Sequence, residues 1–139
     1  MSDGVLLDTH ALIWIVLGQP IREEAAAAVV AASTAGGVHV SAATAWELGV
    51  IRQKRSLDVL MAGDVRGWLS KALQATRARP LSLDVDLMVD VGDLPDLAHR
   101  DPADRMLIAT ARRRDLILIT RDRAILDYAA AGHVRAIAC

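Results

Sequence analysis

Leu116-Ile117-Leu118-Ile119-Thr120-Arg121-Asp122 is an apolar run of strand length that ends in a hydroxyl, a cation and an acid. A run apolar at every position fits a central parallel strand covered on both faces by helices. Outward from it, short β-branched runs alternate with longer Ala- and Leu-rich segments, the pattern of an α/β fold with a parallel sheet. Val5-Leu6-Leu7 predicts a first strand ending at Asp8. Thr9 is placed to cap a helix through Leu17 with Gly18 as its stop, and Pro20 to open a second helix to about Ser33. Gly36-Gly37 turns the chain into a strand at Val38-His39-Val40. Ser41 then caps a helix that carries Glu47 and leaves through Arg52, Lys54 and Arg55. A further helix covers roughly 59–76, weakened by Gly63 and Gly67. Pro80 precedes a short strand over 81–83, and a helix follows to about Val91. Asp101-Pro102 opens an apolar helix to about Arg114. After the quoted strand come a helix over 123–131, ended by Gly132, and an edge strand over 134–138. No repeat or linker interrupts the 139 residues, so one domain over 1–139 is expected.

Composition narrows the function classes. A content of 53% hydrophobic and 24% charged residues describes a folded globule and excludes a disordered tail. No apolar run reaches the roughly 18 residues a membrane helix needs, and Met1-Ser2-Asp3-Gly4 lacks the basic start of a secretory signal. Cys139 is the only cysteine, which excludes an internal disulfide and a thiolate metal cage. A cytoplasmic protein is expected. The formal net charge of −1 argues against a basic nucleic-acid coat but leaves room for a local basic rim. Arginine outnumbers lysine fourteen to two, and Arg100, Arg105, Arg112, Arg113, Arg114, Arg121 and Arg123 crowd one C-terminal stretch. The planar guanidinium suits phosphate better than an ammonium does.

Four acids stand at comparable junctions: Asp8 after the first strand, Glu47 in the helix leaving the second, Asp104 in the first turn of the apolar helix, and Asp122 after the quoted strand. In open α/β sheets, ligands bind beyond the carboxyl ends of the strands. Carboxylates gathered there repel one another unless a cation lies between them, which is how proteins hold Mg²⁺ or Mn²⁺ for phosphate chemistry. Taken singly, most of these acids have a structural use. Asp8 suits a turn or cap, Asp122 an N-cap, and Asp101 and Asp104 are favourable first-turn charges. Glu47 is harder to explain as structure. It is one of three glutamates and lies between Trp46 and Leu48, where a carboxylate needs a metal or a cation such as Arg52 or Arg105.

Other chemistries fare worse. His10, His39, His99 and His133 show no paired metal spacing and read as structural or surface residues. No phosphate-binding glycine loop or nucleophile elbow is present. Trp14 and Trp46 read as core residues, and a chain without Phe does not support an aromatic RNA-binding sheet. Phosphoryl-accepting domains also place an Asp after strand one, but they use a later lysine, and Lys71 is the last here. The phosphatases among them want a second Asp two residues on, where this chain has His10.

Leu6-Leu7-Asp8-Thr9-His10-Ala11-Leu12-Ile13-Trp14, the stretch from Ser41 through Trp46-Glu47-Leu48, His99-Arg100-Asp101-Pro102-Ala103-Asp104-Arg105 and Thr120-Arg121-Asp122 together resemble the PIN domain family, and more narrowly its VapC-type ribonuclease toxins. The resemblance runs over essentially the whole chain, in order and in spacing. It implies a three-layer α/β fold, a central mostly parallel sheet flanked by helices. It also implies a Mg²⁺- or Mn²⁺-dependent endoribonuclease, a homodimer, and a small, separately encoded antitoxin that blocks the active-site groove. Position by position, Asp8, Glu47, Asp104 and Asp122 match the family's acids, with Asp8 and Asp104 as main ligands. Thr9 and Thr120 match supporting hydroxyls, and Asp101 is an additional supporting acid. The implied reaction is in-line attack of a metal-activated water on an RNA phosphodiester, with Arg105, Arg112 and Arg121 as candidates for the RNA-binding rim. A catalytically quiet PIN fold that binds RNA or protein is the alternative. The residues do not separate RNA from DNA, nor one metal ion from two.

Overall fold

The computed structural model describes residues 3–54 and 63–139. Five strands, β1 (Val5–Leu7), β2 (Val38–Ser41), β3 (Arg79–Leu81), β4 (Ile117–Thr120) and β5 (Ala136–Ala138), form one all-parallel sheet in the order β3-β2-β1-β4-β5. The helices are α1 (Thr9–Val16), α2 (Glu23–Thr34), α3 (Ala42–Gln53), α4 (Val65–Thr76), α5 (Val85–Gly92), α6 (Pro102–Arg114) and α7 (Arg123–Ala130). The α/β class with helices around a parallel sheet is as the sequence indicates.

Side-chain alternation along the two central strands builds two cores. Val5, Leu7 and Ile119 enter one cluster with Leu12, Ala25 and Ala72, from α1, α2 and α4. Leu6 and Leu118 enter the other with Leu87, Leu107, Ile108 and Ile125, from α5, α6 and α7. Helices therefore cover the sheet on both sides, which is why its central strands carry no polar face. The helix α3 packs against α1, α4 and α6. Strand order runs outward from β1 to β3 on one side and restarts with β4 on the other. The reversal leaves a crevice beyond the carboxyl ends of β1 and β4, where α/β sheets bind ligands.

Several boundaries differ from the sequence expectation. Asp8, not Thr9, caps α1, its side chain accepting from the Ala11 N–H at 2.7 Å. The second helix starts at Glu23, beyond Pro20, and the third strand includes Pro80 instead of following it. Pro80 is tolerated because β3 is an edge strand, where a missing N–H costs no ladder bond. The last strand is confined to Ala136–Ala138 at the other edge. In the expected helix over 59–76, residues 59–62 lie outside the described residues, as does Arg55. Trp46 is 54% exposed on α3 instead of packing in the core.

Candidate active site

Three helices start at the crevice, and an aspartate caps each. Asp8, Asp101 and Asp122 are the N-caps of α1, α6 and α7, and each accepts with one carboxylate oxygen from a backbone N–H of its first turn. Capping and ligand binding had stood as competing uses of these acids; here one placement allows both. Each cap fixes its side chain and sets the carboxylate at the positive end of a helix dipole.

Hydroxyls tie the elements together. Thr120, at the end of β4, donates through Oγ1 to Asp8 Oδ2 and accepts the Asp122 N–H at 3.0 Å. It therefore clamps the ends of β1 and β4. Thr9 Oγ1 lies 3.1 Å from Thr44 Oγ1, one helical turn before Glu47, which fixes α3 against α1. Both threonines are fully buried supports behind the acids.

Asp8, Glu47, Asp101, Asp104 and Asp122 all line one cavity of about 270 Å³. Glu47, Asp101 and Asp104 each offer a carboxylate oxygen within 4.8 Å of the others'. His99, Asp104 and Asp122 form a second set within the same distance. Asp104 belongs to both sets. Asp8 lines the same cavity but belongs to neither; its oxygens accept from Ala11 and Thr120.

The electrostatics are those of a cluster short of positive charge. Burial pushes the Asp104 carboxyl up to about 6, helped by the charges of Asp101 and Asp122 and opposed by the His99 hydrogen bond. Burial likewise raises Asp8, against the lowering effect of its two hydrogen bonds. Among the described residues, no lysine or arginine forms an ion pair with any of the five acids. Predominantly oxygen donors, crowded and uncompensated, fit a hard divalent cation such as Mg²⁺ or Mn²⁺.

His99 was missed by sequence reasoning. Its Nε2 lies 2.7 Å from Asp104 Oδ2, and that hydrogen bond raises the imidazole pKa. Its place two residues before Asp101-Pro102 was the available signal; a search for paired histidine spacing passes over it. The three arginines divide. Arg121 lines the cavity, its guanidinium 3.8 Å above the Trp14 ring and donating to the Cys139 carbonyl at 2.9 Å. Arg105 does not line it; its guanidinium donates to the carbonyls of Val91, Leu97 and His99 at 2.8, 3.3 and 3.1 Å. Arg112 donates to the His133 carbonyl and is likewise outside the cavity lining.

The class that fold and site define is an α/β protein with a five-stranded parallel sheet and, at its strand-order reversal, a cluster of acids that could hold a divalent cation. The PIN domain family model matches residues 5–131, and the chain belongs to that family. In fold it is similar to VapBC2 from Rickettsia felis bound to a promoter DNA fragment, with a TM-score of 0.71 and 13% identity over 98% of each chain. VapBC-5 from Mycobacterium tuberculosis, of the VapBC toxin–antitoxin family, gives a TM-score of 0.63 and 21% identity over 99% of each chain. FitAcB from Neisseria gonorrhoeae gives 0.55 and 24% over 96% of each chain. A search of curated proteins gave no match.

Proposed function

We propose that the chain is a Mg²⁺- or Mn²⁺-dependent endoribonuclease, the toxin of a VapC-type toxin–antitoxin pair. The observation that carries this reading is the convergence of five acids on one cavity with no lysine or arginine paired to them among the described residues. Asp104 is the central ligand, since it belongs to both donor sets, with Glu47, Asp101, Asp122 and His99 around it. Asp8 closes the cavity at β1 and orders the site through Thr120. A bound divalent cation supplies a lowered water pKa and positive charge against the phosphorane-like transition state. Arg121 positions an RNA phosphate at the rim, and Thr9 and Thr120 keep the acids in place. Arg105 and Arg112 belong to the scaffold in this reading, because neither lines the acid cavity that Arg121 lines.

The biological setting is part of the proposal: a cytoplasmic single domain over residues 1–139, homodimeric, held inactive by a small, separately encoded antitoxin. Similar solved structures described as a toxin–antitoxin complex from Klebsiella pneumoniae and as a member of the VapBC family of toxin–antitoxin systems support it. So does the finding that, among the described residues, no helix is long and apolar enough to cross a membrane. The test is cleavage of RNA with Mn²⁺ and with EDTA, by the wild-type chain and by Asp8→Asn and Asp104→Asn. Cleavage in Mn²⁺ alone, lost in both variants, is expected. Cleavage that survives EDTA or both substitutions contradicts the reading.

A further inference from the structure

Arg121 lines two cavities. On one side are the acids; on the other is a groove of about 490 Å³ whose lining includes Arg22, Arg123, Pro20, Ile21, Leu126 and Cys139, and no Asp or Glu. The three arginines come from different elements: Arg22 precedes α2, Arg121 links β4 to α7, and Arg123 opens α7. Arg22 and Arg123 are exposed, and among the described residues Arg123 has one ion-pair partner, Asp127 at 4.0 Å. Glu23 and Glu24 follow Arg22 in the first turn of α2 but do not line the groove. Arg121 is held in place by Trp14 and the Cys139 carbonyl. The start of α2 has no side-chain cap, and its first-turn Glu23 and Glu24 offset the positive end of that helix, so the arginines carry the charge of the groove.

A phosphodiester chain entering the acid pocket meets five carboxylates, and among the described lining residues Arg121 is the one arginine or lysine. Its neighbouring phosphates need cations close by, and the groove that shares Arg121 supplies them. We infer that this groove carries the sugar–phosphate backbone of a single RNA strand where it leaves the acid pocket, with Arg121 the contact common to both and Arg22 and Arg123 holding the following phosphates. The inference rests on the reading of the acid pocket as the place of cleavage. Such contacts set the register of the strand without reading its sequence.

Fluorescence anisotropy of an unstructured twelve-nucleotide RNA, in EDTA and over a series of salt concentrations, tests it. Arg22→Ala and Arg123→Ala are each expected to weaken binding about 3- to 10-fold, equally for unrelated sequences. Each is also expected to reduce the slope of log K against log salt by about 0.7, the single-strand value for one phosphate contact. Arg113→Ala removes an exposed arginine that pairs with Asp90 and is expected to change neither quantity. Wild-type affinity and slope in both groove variants overturn the inference, as does an equal loss in Arg113→Ala. A polyglutamate peptide that depends on Arg22 and Arg123 where RNA does not also overturns it. Cleavage of the same RNA in Mn²⁺ separates the two proposals. Groove-dependent binding without cleavage refutes the nuclease alone, cleavage indifferent to Arg22 and Arg123 refutes the groove alone, and absence of both refutes both.

Discussion

Asp104 belongs to both sets of candidate donors in the cavity, and its titration carries a sign that can be checked. A carboxyl held at about 6 against an ordinary 3.8 binds its proton more tightly in the folded chain than in the unfolded one. The metal-free protein therefore loses stability as the pH rises from about 4 to about 6, and divalent-metal affinity rises over the same interval as the proton leaves. Thermal melts at about pH 5 and pH 7.5 should show a larger Mn²⁺-induced rise in Tm at the higher pH; equal rises contradict the assignment. Thr120→Val tests the clamp between β1 and β4. Losing the hydroxyl leaves Asp8 Oδ2 and the Asp122 N–H without their partner, at a cost of about 1–3 kcal/mol in urea unfolding. Asp8, Glu47 and Asp122 were legible as a group from the sequence because each sits where a strand ends or a helix leaves one, and Asp104 because Asp101-Pro102 marks the start of its helix. His99 was not, because its role comes from a loop that folds back onto Asp104, which spacing does not encode.

At the scale of elements, the loop between α5 and α6 is the informative one. Arg105, within α6, reaches back to carbonyls at Val91, Leu97 and His99 and so holds the loop that presents His99 to the site. Arg105→Ala is expected to cost about 1–3 kcal/mol of stability and to lower Mn²⁺ affinity through His99, while binding of RNA in EDTA stays at the wild-type level. RNA affinity that falls with stability unchanged would return Arg105 to the rim. An arginine beside a catalytic-looking acid invites a substrate role in sequence. The fold gives it other partners, because the carbonyls of an irregular loop need donors. Elements were most legible where composition was least mixed: β1, β2 and β4 follow their apolar runs, while β3 is displaced onto Pro80 because an edge strand tolerates what a central one does not.

Across the molecule, the two cores meet at β1 and β4, the strands that also place Asp8 and Asp122. Leu118 is fully buried in the α5–α6–α7 core. Leu118→Ala should cost about 2–5 kcal/mol by equilibrium unfolding, and Mn²⁺ binding should weaken with it since β4 carries Thr120; a loss under 1 kcal/mol would argue against its place in the central layer. The parallel sheet was readable from the alternation of apolar runs and helical segments. Its strand order was not, since it depends on which strand β4 pairs with across more than a hundred residues of chain. That pairing creates the crevice, so the convergence of the acids is a property of topology more than of local sequence. The most direct measurement of that convergence is anomalous diffraction from crystals soaked in Mn²⁺. The account predicts a peak about 2.0–2.4 Å from an Asp104 carboxylate oxygen, with Glu47 or Asp122 among the remaining ligands or their waters. A well-soaked crystal with no peak in the acid cavity, or with manganese bound only elsewhere on the surface, would contradict it.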